Sequence, residues 1–233
     1  MALKKGDFIE VEYTGRLDTG VVFDTTNEAE AQKADIHRNR MMYGPVAICI
    51  GHSQIIKGLD EALAGKELGT HTIPVPAEKA FGKKDAKLVH MVPISKFKQQ
   101  NVQPTPGLQL NIDGMLATIK NVSGGRVLVD FNHPLSGHDV TYVVKINKKL
   151  EKPEEKIEAL VELHFNRKDI GVAVKGDCAE LSFPTKIPPE IAKKLEESLS
   201  KEVTKLVAEI KSIAVVSREE QEKKDEKTSG KKQ

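Results

Sequence analysis

Two stretches of strict alternation, far apart in the chain, constrain its fold most. Ile9, Val11 and Tyr13 alternate with Glu10 and Glu12, the two-residue period of a half-buried strand. The same period returns at Val140, Tyr142, Val144 and Ile146. The stretch from about Lys84 to Asp130 has a different character and reads as a separate unit. A sheet begun near the N-terminus is therefore expected to resume only after a long excursion.

Asp18-Thr19-Gly20 closes the first strand pair with a turn whose glycine can take positive φ. Ala, Glu and Gln between Glu28 and Ile36 favour a short helix ahead of a strand over Val46 to Ile50. Ile56, Leu59 and Leu63 then share one helical face, with Gly65 as a stop. The next strand, His71 to Val75, is confined to an edge or an end by Pro74 and Pro76. In the inserted unit, Pro104-Thr105-Pro106-Gly107 introduces strand-like runs over Leu108 to Ile112, Met115 to Val122 and Arg126 to Phe131. These predict a small all-β insert.

Lys152-Pro153-Glu154-Glu155-Lys156 reads as a linker into a third unit. Its order is a helix bearing Ile157, Leu160 and Val161, a hairpin across Lys175-Gly176-Asp177, a helix opened by Pro188-Pro189, and a last strand over Ser212 to Val216. The apolar stripe of its second helix suits an internal sheet or a partner copy equally. The expected fold class is α+β, divided into residues 1–84 plus 131–151, an insert over 85–130, a module over 152–217, and a charged tail over 218–233 expected to be disordered.

With 39% hydrophobic residues the chain can build packed cores, and with 4% aromatics and no Trp those cores are mainly aliphatic. A net charge of +2 gives no overall pull toward nucleic acid or membrane, although the insert and tail lysines leave a local contact with RNA or ribosomes open. No apolar run reaches the roughly 18 residues of a membrane span, and the N-terminus lacks a signal-peptide stretch, so a cytoplasmic location is expected. Cys49 and Cys178 offer neither a redox pair nor a disulfide framework.

The chemistry concentrates in Val22-Phe23-Asp24-Thr25 and Gln54-Ile55-Ile56-Lys57-Gly58-Leu59, which together can line a small apolar cavity with one carboxylate at its rim. That set lacks the nucleophile, base or metal of a hydrolase and suits chemistry that breaks no substrate bond. His133 and His138 read as loop residues rather than metal ligands, because Pro134 and Gly137 lie between them. Neither a metal nor another cofactor is expected.

Tyr13-Thr14-Gly15, Phe23-Asp24, the Gly51 to Leu59 segment and Ala80-Phe81-Gly82 occur in the order found in the FKBP-type peptidyl-prolyl isomerases, and the chain resembles that family over about its first 150 residues. The return segment Asn132-His133-Pro134-Leu135-Ser136-Gly137 resembles the Asn-His-x-Leu-x-Gly of bacterial SlyD proteins and archaeal long FKBPs, which carry an insert in the flap. The resemblance implies an antiparallel half-barrel sheet with a short helix, and rotation about Xaa-Pro bonds of unfolded or nascent polypeptides. It assigns Tyr13, Phe23, Asp24, Ile56, Phe81 and Tyr142 to catalysis, and Val46, Ile55, Leu59, Ala80 and Leu135 to substrate binding. It further implies a chaperone surface on the insert from Met91, Val92, Ile94, Phe97, Leu110 and Met115, and an extra C-terminal domain, through which the apolar stripe of the second helix leaves a homodimer open. Leu59 stands where the family usually has Trp and Val46 where it often has Phe, so a wider pocket and weak binding of macrolide inhibitors are expected. A non-catalytic chaperone that docks proline-containing segments is the alternative.

Overall fold

The computed structural model describes residues 2–39 and 41–217, so the tail expected over 218–233 lies outside the described residues. Strands β1 (Phe8–Leu17) and β2 (Val22–Thr25) form a hairpin. Helix α1 (Glu28–Lys33) follows, its first turn capped by Asn27, whose Oδ1 accepts the Glu30 N–H at 3.1 Å. Strand β3 (Val46–Cys49) pairs with β1, helix α2 (Lys57–Leu63) crosses the sheet, and β4 (Gly69–Val75) is an edge strand, where Pro74 removes no needed donor.

The chain then leaves this sheet. Strand β5 (Val89–Pro93), helix α3 (Ile94–Gln99), β6 (Gln109–Ile112), β7 (Met115–Ser123) and β8 (Arg126–Asp130) make a second antiparallel sheet in the order β5-β8-β7-β6. The insert therefore holds one short helix besides its strands. Phe97 on α3 is 3% exposed and plugs a core of Ala117, Ile119, Val127 and Val129.

Strand β9 (Val140–Leu150) returns between β1 and β4, completing the order β2-β1-β9-β4 with β3 on the far part of β1. Val140, Tyr142, Val144 and Ile146 face Ile9, Val11, Ile48, Ile50, Leu59 and Leu63 in the principal core. A register shift opposite Glu10 and Val11 adds one residue to β9. That bulge reverses the strand's facing, so Leu150 points to the opposite side, beside Phe8 and Cys49.

Helix α4 (Pro153–Phe165) starts with Pro153 and ends at Asn166 in the left-handed region, φ +50°. Strands β10 (Gly171–Lys175) and β11 (Cys178–Phe183) form a hairpin, and helix α5 (Pro189–Leu206) carries the chain over to β12 (Ser212–Ser217), parallel to β11. Ile157, Leu160 and Val161 of α4, Leu199 and Val203 of α5, and Leu181 and Phe183 of β11 share one core with Phe8, Cys49 and Leu150. The C-terminal elements thus cover the outer face of the principal sheet. Among the described residues no helix is long and apolar enough to cross a membrane.

Candidate functional site

A cavity of about 390 Å³ opens between the principal sheet and the segment leading into α2, lined by Tyr13, Asp24, Gln54, Ile55, Ile56, Leu59 and Tyr142. Leu59, 1% exposed, anchors the core beneath it. A larger hollow of about 540 Å³ shares Asp24 and is bounded by Phe23, Arg38, Tyr43, Phe81, His133 and Leu135.

Aromatic rings link the two. Tyr13 meets Tyr142 at 5.8 Å, Tyr142 meets Phe23 edge-on at 5.7 Å, and Phe23 meets Phe81 edge-on at 5.4 Å, geometries that ring quadrupoles favour. Phe81 then stacks on His133 at 4.8 Å and 2°. His133 Nδ1 accepts the Leu135 N–H at 3.2 Å, which puts the proton of the neutral ring on Nε2. The wall stands on Gly15. A Cβ there would lie 2.8 Å from both Phe23 Cζ and Tyr142 Cε1, so a larger residue must push the rings aside. Gly58 serves a similar need, since a Cβ would come within 2.4 Å of Val75 Cγ1 and hold α2 off β4.

Side chains bracket the segment that carries Ile55 and Ile56. Asp60, 5% exposed, accepts the Gly51 N–H through Oδ1 at 2.7 Å and the Ser53 N–H through Oδ2 at 2.9 Å. Gln54 Oε1 accepts the Cys49 N–H at 2.7 Å. Gly51 at φ +83° makes the bend. The Ile56 N–H finds no acceptor among the described residues, and Gln54 Nε2 is a buried donor that is also unsatisfied there. Two donors without partners thus lie two residues apart beside one apolar hollow.

Asp24 sits opposite Gly15 in the β1–β2 ladder. Burial raises its carboxyl above the ordinary range, offset in part by the Tyr13 hydroxyl and Thr25 N–H that donate to it and by the Arg38 charge. Burial, with the Asp24 charge adding to it, raises the Tyr13 phenol, and Tyr142 is raised in the same way. Both phenols therefore stay protonated and can donate. Cys49 lies outside this chemistry: burial, with Asp60 and Asp7 adding to it, pushes its thiol up to about 12.

Tyr13, Asp24, Ile55, Ile56, Leu59 and Tyr142 meet in one cavity, and Phe23 and Phe81 extend its wall. Ala80 is half-buried beside Phe81 in the same core, and Leu135 borders the larger hollow. Val46 packs against the principal core together with Tyr13 and Ile55, and it also borders a groove with Met42, Ala47, Ala159 and Leu163 where α4 lies against β3. Gln54 and His133, which lie in the quoted segments without an assigned role, border the hollows, as does Arg38, which no motif singled out.

The surface expected on the insert divides. Met91 and Met115 are 64% and 53% exposed, whereas Val92, Ile94 and Leu110 are half-buried against the insert core. Phe97 does not belong to the surface at all, since α3 turns it inward. Leu116, 50% exposed, was missed. Its neighbours Ala117 and Ile119 face the core, so alternation along β7 turns Leu116 outward.

The profile of the FKBP-type peptidyl-prolyl cis-trans isomerases matches residues 1–99, and that of the FKBP26 IF domain matches residues 90–135. A short-type peptidyl-prolyl cis-trans isomerase from Methanocaldococcus jannaschii is 32% identical over 145 residues, which is 62% of this chain and 92% of the relative. The FKBP-type peptidyl-prolyl cis-trans isomerase SlyD of Treponema pallidum is 27% identical over 158 residues, 66% of this chain and 81% of the relative. SlyD of Helicobacter pylori is 29% identical over 136 residues, 56% and 72% respectively.

Proposed function

This chain belongs to the FKBP-type peptidyl-prolyl cis-trans isomerase family, and from that membership we propose that it rotates Xaa-Pro bonds of unfolded or nascent chains that its insert holds. The barrier to rotation is about 18–20 kcal/mol and comes from C–N resonance. Resonance separates charge, so water stabilises the planar amide more than the twisted one. Seating the proline among Leu59, Ile55, Tyr142 and Phe23 withdraws that water. The Ile56 N–H takes a substrate carbonyl and orients the segment. Asp24 and the Tyr13 hydroxyl form the polar edge beside the rotating carbonyl, as fixed dipoles that need no reorganisation. No proton leaves the substrate, and no nucleophile is required.

The observation that carries this reading is the unsatisfied Ile56 N–H beside an apolar, aromatic-walled cavity. For the insert, Met91, Met115 and Leu116 supply exposed apolar side chains, and the free edges of β5 and β6 supply backbone for strand addition. NMR exchange on a short Xaa-Pro peptide tests the catalytic half. The full chain should accelerate exchange, and Asp24→Ala should slow it while leaving peptide affinity largely intact. A full chain without acceleration would promote a pure docking role.

A further inference from the structure

Two crossing segments, on either side of residues 84 and 131, join the insert to the principal sheet. Polypeptide crossovers of this kind are natural hinges, yet this one is stitched. Gly137 N–H donates to Gly82 O at 2.8 Å on the sheet side, and Phe131 N–H to Leu88 O at 2.9 Å on the insert side. Between them the link is a side chain. Asn132 Oδ1 accepts the Asp85 N–H at 2.8 Å, and its Nδ2 donates to Asp85 O at 3.0 Å. The carboxamide thereby satisfies both backbone groups of Asp85, as a neighbouring strand would.

A second partner fixes its orientation. Asp130 Oδ1 accepts Asn132 Nδ2–H at 2.8 Å and Asn132 N–H at 2.9 Å, and both residues are 6% exposed. Only a carboxamide meets all these needs. An aspartate would face Asp85 O without a donor and set a second carboxylate against Asp130, and an apolar residue would free both backbone groups of Asp85 and leave Asp130 Oδ1 only the backbone N–H of residue 132.

The residues on either side give the knot its reach. Phe131 packs on the insert core, and His133 stacks on Phe81 in the cavity wall. Three consecutive side chains thus hold the insert, the neck and the cavity in one register. We propose that Asn132 is a positioning residue that fixes how the insert faces the cavity, so that a held chain presents its prolines to Asp24 and Ile56. The proposal rests on the insert holding clients, as argued above. The benefit is one of effective concentration, which is lost when geometry forbids simultaneous engagement.

The test compares the full chain with Asn132→Ala and Asn132→Asp on two substrates. One is a short Xaa-Pro peptide, and the other an unfolded protein whose refolding is limited by one Xaa-Pro bond. Both variants should stay within about twofold of the parent on the peptide and fall about tenfold on the protein, with residual dipolar couplings showing a spread of insert orientations. Equal effects on both substrates overturn the positioning role while the parent's advantage on the protein stands. A parent that accelerates both alike overturns the holding role and this proposal with it. Should Asn132→Ala fail to fold, Asn132→Asp, nearly the same size, carries the comparison.

Discussion

The insert and the C-terminal module are joined to the principal sheet by opposite means. The insert keeps its own core of Phe97, Ala117, Ile119, Val127 and Val129, and meets the sheet through hydrogen bonds at a narrow neck. The module's core is not closed by the module alone, because Phe8, Cys49 and Leu150 of the sheet pack into it. Directional bonds set an angle, whereas shared apolar burial sets stability. The first unit is placed and the second is welded.

Breaking the weld should have the largest effect. Phe8→Ala removes a ring from a site 1% exposed and should cost about 3–5 kcal/mol, a range typical of large core deletions. Urea denaturation followed by signals from the sheet and from α5 should move together. Separate transitions would show that the two do not share one cooperative core. Phe97→Ala should cost the insert about 3 kcal/mol and remain local. Amide exchange should open β5 to β8 alone, with isomerisation of short peptides preserved, and its loss would mean that the insert core supports the cavity.

The smallest effect lies in the acids. Burial raises Asp24, so its charged form is disfavoured in the folded protein, and the resulting stability is present at low pH and lost as pH rises through the raised pKa. Burial works against Asp130 as well, but hydrogen bonds from Asn132 and the charges of Lys120 and Lys84 outweigh it and lower the pKa. Its stability is present above the ordinary carboxylate range and lost as pH falls through the depressed pKa. Asp24→Asn should therefore raise the melting temperature at neutral pH and lose that gain in acid. Asp130→Asn should lower the melting temperature at neutral pH and converge on the parent in acid. Parallel profiles for the two would contradict the assigned causes.

Much of this was legible from period and punctuation. The alternation over Ile9 to Tyr13 and Val140 to Ile146 marked the principal strands, Pro74 marked an edge, and the segments carrying Asp24 and Ile56 converge on one cavity. What alternation cannot give is what covers the opposite face. Phe8 stands out of phase with Ile9, but nothing local names Leu160 or Val203 as its neighbours. The bulge that turns Leu150 outward is equally silent in sequence. Nothing local to Val46 shows that α4 borders it as well, and Phe97 reads as surface in a segment too short to show a helical period. Asn132 reads as a loop residue because its role depends on Asp85, a partner distant in sequence.

The place of β9 also sets a timetable. It lies between β1 and β4, yet it leaves the ribosome after every other strand of its sheet and after the whole insert. The insert's strand pairs all close within Val89 to Asp130, whereas β9 pairs with β1 across the whole insert, and contacts of shorter sequence separation close sooner. On a growing chain the insert can finish while the cavity still lacks Tyr142. The insert proposed to hold unfolded segments is thus complete before the cavity, and until β9 docks, the incomplete sheet beside it in the chain is this protein's own.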